Sequence, residues 1–223
     1  MLVVANEFWK NIKIKFKDNA NSSKAPTSIV CDCGVIGSDA NAALKPYNRK
    51  IGPDPATINN ALIGGIFSNN SSGMCCGVKQ NSYQTIKSIR VILGDLRKTS
   101  KSSKNYGDDR GEKIKHNGNA IVLDTSDEAR QGESLASFVN AYPHIVKSLL
   151  DLREEILADK ELCEMIKRKF AIKNTTGYAL NALVDFSDIK DILNHIFIGA
   201  EGTLGFISRV EYECVQDLSL IHI

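Results

Sequence analysis

Long apolar runs are missing from this chain. None approaches the ~18 residues that a bilayer-spanning helix needs, so no transmembrane segment is expected. The start, Met1-Leu2-Val3-Val4 with Glu7 close behind, lacks the basic-then-apolar order of a secretory signal. The expected location is therefore cytoplasmic, with a full-length protein free to sit peripherally on a membrane. An excess of one charge is missing too. Lys and Arg number 28 against 26 Asp and Glu, a net +2, which removes the reason to expect nucleic acid or anionic lipid as a partner. Cysteine is sparse: Cys31 and Cys33, Cys75 and Cys76, Cys163 and Cys214. None of these pairs has companions at zinc-site spacing, so no disulfide framework and no metal site is expected. Two phosphate-binding signatures are absent as well. There is no G-x-x-x-x-G-K-[ST] loop, and no G-x-G-x-x-G follows a strand.

What is present suffices for one core, with 43% hydrophobic residues in a 223-residue chain. Asn11 to Lys17 alternates strictly, Ile12, Ile14 and Phe16 against Lys13, Lys15 and Lys17, which is the period of a half-buried strand. Leu2 to Ala5 is a candidate partner strand, and Thr27 to Cys33 a third. Ser38 stands where an N-cap belongs before a short helix, Asp39 to Leu44. From Ile51 to Gly77, prolines, glycines, Asn and Ser make a stretch too irregular for either regular period. Ile86 to Leu93 reads as a strand and Ala120 to Asp124 as its continuation or its hairpin partner. The polar insert between them, residues 94–119, is expected to be a mobile surface loop. Glu128 to Phe170 turns helical, with one stripe of Ile145, Leu149, Leu152 and Ile156 and a second of Leu162, Met165 and Ile166. A further helix covers Asp188 to Asn194. Gly205 to Val215 returns to strand alternation, Val210, Tyr212 and Cys214 facing one way and Arg209, Glu211 and Glu213 the other.

Two segments are built to let main chain approach a ligand: Ile51 to Gly73, which carries Gly64-Gly65 and Asn69-Asn70-Ser71-Ser72-Gly73, and Ile198 to Ile207, which carries Gly199-Ala-Glu201-Gly202-Thr-Leu-Gly205-Phe206. Glycine removes the Cβ that would hold the backbone away from a pyrophosphate, and the bared amides can donate to its oxygens. Taken alone, a glycine pair marks a tight turn.

Together these segments resemble the FAD-binding domain of the vanillyl-alcohol-oxidase or PCMH type, found in flavin-dependent D-2-hydroxyacid dehydrogenases. The resemblance rests on I-G-G followed by N-N-S-S-G, on T-G-Y-A-L, and on G-A-E-G-T-L-G. Its most specific part, Gly73 to Val78 through Asn81 to Thr85, is similar to the subgroup fused to an iron–sulfur domain. The fold it implies is α+β, a mostly antiparallel sheet flanked by helices. Residues 1–217 would form a partial FAD-binding domain, incomplete at the N-terminal side because the family's R-G-G-G-T-S-type loop would lie upstream. Implied FAD contacts are Pro53, Asp54, Gly64, Gly65, Asn70 and Gly73 on the pyrophosphate and flavin side. Glu201, Gly202, Gly205 and Phe206 would hold the rest of the dinucleotide, with Phe206 where relatives often have Ile or Val.

The implied activity is oxidation of D-lactate or D-2-hydroxyglutarate by hydride transfer to the flavin. Electrons would pass through the iron–sulfur domain, a quinone or a cytochrome. The substrate cap with its catalytic histidine would lie downstream, so no catalytic residue is assigned. A truncated, non-catalytic dinucleotide-binding module is the rival reading. Residues 218–223, Leu-Ser-Leu-Ile-His-Ile, break the strand pattern and coincide with the translation of a widely used sequencing adapter, so a non-native tail is expected.

Blander roles fit the other tempting residues. Cys75 and Cys76 read as buried structural thiols near the flavin, and His195 as a helix-terminal histidine satisfied by helix carbonyls. Glu201 orders its turn or reaches ribose hydroxyls, and Lys160 to Lys169 forms a solvated helix face.

Overall fold

The computed structural model describes residues 8–16, 25–73, 76–94, 120–175 and 177–217. The expected strand Leu2 to Ala5, the insert after Gly94, Cys75 and the tail 218–223 lie outside them.

The alternating Ile/Lys segment forms β1 (Ile12–Phe16), antiparallel to β2 (Pro26–Asp32). Helix α1 (Gly37–Leu44) starts earlier than expected, and its N-cap is Ile36, without a side-chain cap. Ser38 is already helical and donates its N–H to the Ile58 carbonyl at 3.0 Å. Backbone pairing sets the helix entry instead: Ile36 bridges Leu62, and Gly37 donates to Ala61 O at 2.9 Å. A 3₁₀ turn, Lys45–Tyr47, leads to β3 (Arg49–Ile51).

The stretch expected to be irregular contains a helix, α2 (Ile63–Ser68). Two consecutive glycines argue against helix by propensity. Burial overrides them, because Ile63, Ile66 and Phe67 are completely enclosed and their spacing puts all three on the inner side. The one-turn helix α3 (Ser82–Thr85) is capped by Asn81, whose Oδ1 accepts from Gln84 N at 3.1 Å. It runs straight into β4 (Ile86–Leu93), which pairs with β5 (Ile121–Asp124) as an antiparallel neighbour.

Residues 128–134 are not helical, and the helical region begins only at α4 (Leu135–Ala141), followed by α5 (Pro143–Ala158) and α6 (Lys160–Phe170). Asp159 separates the last two and caps α6, accepting from Leu162 N at 3.0 Å. The expected stripes are partly misphased: Leu152 is 42% and Met165 52% exposed, while Ile156, Cys163 and Ile166 are buried. Two short helices, α7 (Ala182–Asp185) and α8 (Ile189–Ile196), precede the long strand β6 (Phe206–Gln216).

The sheet runs β1-β2-β6-β4-β5, every pairing antiparallel, with β3 on the far end of β6. The expected α+β class, a mostly antiparallel sheet flanked by helices, is the one observed. Ile29, Cys31, Ile89, Val210 and Tyr212 share the inner face and bury against α1, α2 and α8. Burial pushes the Cys31 thiol up to about 12 and the Cys214 thiol to about 11, so both stay protonated.

On the other face, which carries the charged side of the β6 alternation, Glu211 is only 6% exposed. Its carboxylate accepts from Ser28 Oγ at 2.6 Å, Ser88 Oγ at 2.9 Å and Lys15 Nζ at 3.0 Å. Burial opposes its ionised form, but these donors prevail and hold the carboxyl below its usual range. Lys15 also lies 3.6 Å from Glu128, which takes Lys13 at 2.7 Å, so the turn carrying Glu128 closes over the network.

Candidate functional site

The two glycine-bearing segments meet. The main-chain N–H of Glu201 donates to Ser68 O at 3.0 Å, and the Asn69 side-chain amide donates to the Glu201 carboxylate. Glu201 and Asn70 both occupy the left-handed region, each at φ 51°, a conformation uncommon for residues with a Cβ. On the Asn70 side, Ser71 N–H returns to Ile66 O at 2.9 Å. A third segment clasps the same loop: Asn70 Nδ2 donates to Asn174 O at 3.1 Å and Lys173 Nζ to Ser72 O at 2.7 Å. Gly199, at φ 75°, lies so close to the Gly177 carbonyl that a Cβ there would stand 2.5 Å from its oxygen. Tyr178 Oη and Thr203 Oγ1 are 3.0 Å apart. Residues 65–73, 173–175, 177–178 and 199–203 thus form one joint.

The residues implied by the resemblance divide into three groups. Pro53, Asp54 and Gly73 lie together, since a Cβ on Gly73 would stand 1.6 Å from the Asp54 carbonyl oxygen, and only glycine permits that crossing. The Asp54 carboxylate faces Lys50 Nζ at 3.5 Å. Gly65, Asn70, Glu201 and Gly202 belong to the joint; Gly65 and Gly202 are exposed, with nothing within 4 Å of an added Cβ. Gly64, Gly205 and Phe206 serve packing. The Gly64 N–H, expected to be bared, is committed to Cys33 O at 3.0 Å. Gly205 lies against Val91 and Leu93, and the Phe206 ring lies 4.6 Å from that of Trp9.

Beside the joint opens a cavity of about 500 Å³, within the range of small-ligand sites. Of the ten implied residues only Asn70 lines it. Most of its wall comes from positions to which no role was given: Val78, Asn81, Tyr83, Gln84, Phe170, Ala179, Asn181, Asp185, Ile198 and Gly199. One signal could have found Asn181. It stands at the N-cap of α7, a favoured place for Asn, yet its side chain makes no cap bond. Its Nδ2 reaches Asp185 Oδ2 at 3.1 Å, and Tyr83 Oη donates to that same oxygen at 2.7 Å. Burial first and this bond second raise the Tyr83 hydroxyl, keeping it a donor.

His195 behaves as expected of a helix-terminal histidine. Its Nδ1 lies 2.6 Å from Asp191 O, and its ring stacks on Phe186 at 4.1 Å and meets the Tyr83 edge at 4.7 Å. Burial holds it below its ordinary value, so it is a neutral wedge behind the cavity wall. Cys76 is buried, with Gly73 N–H directed at its Sγ at 3.2 Å. Among the described residues no cluster of three or more His, Cys, Asp or Glu could hold a metal, and no helix is long and apolar enough to cross a membrane.

The residues present suit a flavin dinucleotide. At Gly65 and Gly202 an added Cβ meets nothing within 4 Å, leaving the main chain open to a diphosphate, and the adjoining cavity combines the apolar Val78, Phe170, Ala179 and Ile198 with the polar Asn81, Gln84 and Asn181.

Comparison with known proteins points the same way. Residues 12–96 match the family model described as FAD binding domain. The chain is 27% identical over 187 residues to the D-2-hydroxyglutarate dehydrogenase of Pantoea ananatis, covering 82% of this chain and 15% of that protein. It is 26% identical over 177 residues to the D-2-hydroxyglutarate dehydrogenase of Pseudomonas putida, covering 78% of this chain and 14% of that protein. The chain therefore spans about a seventh of the length of these relatives. The family match runs from β1 just past β4, and the antiparallel sheet flanked by helices is consistent with an FAD-binding domain of that kind.

Proposed function

We propose that this chain is the flavin-positioning part of an FAD-dependent oxidoreductase that oxidises a D-2-hydroxyacid, D-2-hydroxyglutarate or D-lactate. The observation that carries the reading is the joint itself: the two segments that resemble flavin-binding stretches are tied by the Glu201 to Ser68 bond and by the Asn69 to Glu201 bond, whose partners are 132 residues apart in sequence. Gly65 shortly precedes Ser68 and Gly202 follows Glu201, and at both an added Cβ meets nothing within 4 Å.

In this reading the open main chain around Gly65 and Gly202 accepts the diphosphate, and Asn69 fixes Glu201 so that its turn keeps the left-handed geometry. Pro53 and Asp54, braced on Gly73, form the flavin side. FAD, when bound, supplies the two-electron acceptor for conversion of the hydroxyl-bearing carbon to a carbonyl. The groups that grip the substrate and take the hydroxyl proton belong to other portions of such a protein, as does the iron–sulfur domain that passes electrons on. The substrate class draws its support from the names of the two relatives, each a D-2-hydroxyglutarate dehydrogenase.

The test is to add D-2-hydroxyglutarate, D-lactate and their L-enantiomers anaerobically to the FAD-loaded protein produced together with its adjoining coding sequence, and to follow bleaching of the flavin band. Bleaching by a D-hydroxyacid alone is the expected result. A protein that holds FAD and is reduced by none of the four would leave only the rival reading, a non-catalytic dinucleotide-binding module.

A further inference from the structure

One peptide unit of the joint is gripped at both ends by side chains. The Ser72 carbonyl accepts from Lys173 Nζ at 2.7 Å, across 101 positions of sequence. The N–H of the same unit, on Gly73, is directed at Cys76 Sγ at 3.2 Å, and the Cys76 thiol returns to Gly73 O at 3.7 Å. A planar trans peptide points its C=O and its N–H in opposite directions, so the two grips together fix its rotation about the chain. Lys173 follows α6, and the neighbouring Asn174 O takes Asn70 Nδ2 at 3.1 Å, so the same segment also holds the left-handed Asn70.

That rotation matters because of what Gly73 crosses. A Cβ there would stand 1.6 Å from the Asp54 carbonyl oxygen, so the two main chains touch and turning the 72–73 unit displaces Pro53-Asp54. Both grips are of a kind that decides orientation. An ammonium on a main-chain carbonyl is charge-assisted and stronger than a neutral bond. Cys76 is 3% exposed, so water cannot take over from its sulfur as acceptor. Neither residue belongs to a hydrophobic cluster of the core, and Lys173 is only half-buried, so bulk stability explains neither grip.

We propose that Lys173 and Cys76 are positioning residues: they set the Ser72–Gly73 peptide and, through its crossing with Asp54, the Pro53-Asp54 segment on the flavin side. Their service to the flavin rests on the reading above. The fixing of the peptide does not.

The experiment uses the full chain in two arms. In the ligand-free protein, amide hydrogen exchange at Gly73 is followed by NMR. Lys173→Met and Cys76→Ala should each speed it about fivefold, the loss of one hydrogen bond, while Lys173→Arg, which keeps a cationic donor, should leave it near the parent rate. FAD is then titrated into the same proteins. Lys173→Met and Cys76→Ala should bind it about fivefold to tenfold more weakly and Lys173→Arg like the parent, although Lys173→Met should melt within about 2 °C of the parent chain. Unchanged exchange at Gly73 in both loss variants overturns the inference whatever FAD does, and faster exchange with undiminished FAD affinity overturns the service to the flavin. A Lys173→Met loss that vanishes at about 0.5 M salt would mark a direct contact of the ammonium with the diphosphate and overturn the positioning role. Failure of the parent chain to bind FAD sinks the flavin reading separately, and the exchange arm still decides whether these side chains fix the peptide.

Discussion

The glycines of the joint allow a test in which stability and ligand affinity move in opposite directions. At Gly65 an added Cβ meets nothing within 4 Å, and the residue lies inside α2. Gly65→Ala should therefore stabilise the ligand-free chain by about 0.5–1 kcal/mol, the helix penalty of glycine. At roughly 2–4 °C per kcal/mol for a chain of this size, the melting temperature should rise by about 1–4 °C. At Gly73 the added Cβ would stand 1.6 Å from a backbone oxygen, less than half the ordinary contact distance, with no flexible side chain to give way. Gly73→Ala should cost at least the ~3 kcal/mol at the upper end of overpacking, a fall of about 6–12 °C. Calorimetric melts of the two variants beside the parent chain measure both. FAD titration then adds the second axis: if the main chain at Gly65 faces the diphosphate, the stabilised Gly65→Ala chain should bind FAD about tenfold more weakly, equivalent to ~1.4 kcal/mol. A Gly65→Ala chain that melts higher and binds FAD undiminished would refute the main-chain approach, and one that melts lower would refute the reading of α2.

Two further variants probe the frame that holds the joint. Glu211→Gln keeps one acceptor oxygen for the two serines, replaces the other by an amide nitrogen and removes the charge facing Lys15, and should cost about 1–3 kcal/mol; Glu211→Leu should cost about 3 kcal/mol or more. Because the folded Glu211 carboxyl is held below its unfolded value, its contribution is fully present above the unfolded carboxylate pKa and is lost as pH falls through the folded pKa. The Gln variant should show a shallower acid limb in pH-dependent urea melts, and an unchanged limb would contradict the network. Gly199→Ala combines φ 75° with a clash against the Gly177 carbonyl, and should destabilise by about 1–3 kcal/mol while weakening FAD binding; a neutral effect on both would show that residues 177 and 199 need not touch.

Much of the sheet was legible because its two faces differ chemically. The Ile/Lys alternation of β1 and the Val210, Tyr212, Cys214 set of β6 announced strands in correct phase. The helix α2 was not legible, since Gly64-Gly65 speaks against helix locally, and only the tertiary burial of Ile63, Ile66 and Phe67 decides it. Ser38 failed as a cap because backbone pairing of Ile36 with Leu62 already fixes the entry to α1. The α5 and α6 stripes misled because those helices bury partly against one another and α7, which Ile156 and Ile166 face and Leu152 and Met165 do not. The buried role of Glu211 was invisible in a strand that alternates, because the turn bearing Glu128 closes over the face that alternation leaves to solvent. Of the site, the meeting of the loop that carries Asn69 with the Glu201 turn followed from the resemblance of both segments. The cavity did not, because Asn81, Tyr83, Asn181 and Asp185 are ordinary residues until the chain folds them onto one wall.

The central claim is that segments 64–73 and 199–206 together hold a flavin dinucleotide. Titration of FAD into the folded full chain, read by quenching of flavin fluorescence and repeated with Asn69→Ala, tests it most directly. Saturable one-to-one binding, weakened at least about tenfold when Asn69 no longer holds Glu201, is the result expected. A chain that is folded by circular dichroism and leaves FAD fluorescence unchanged at every concentration would contradict it.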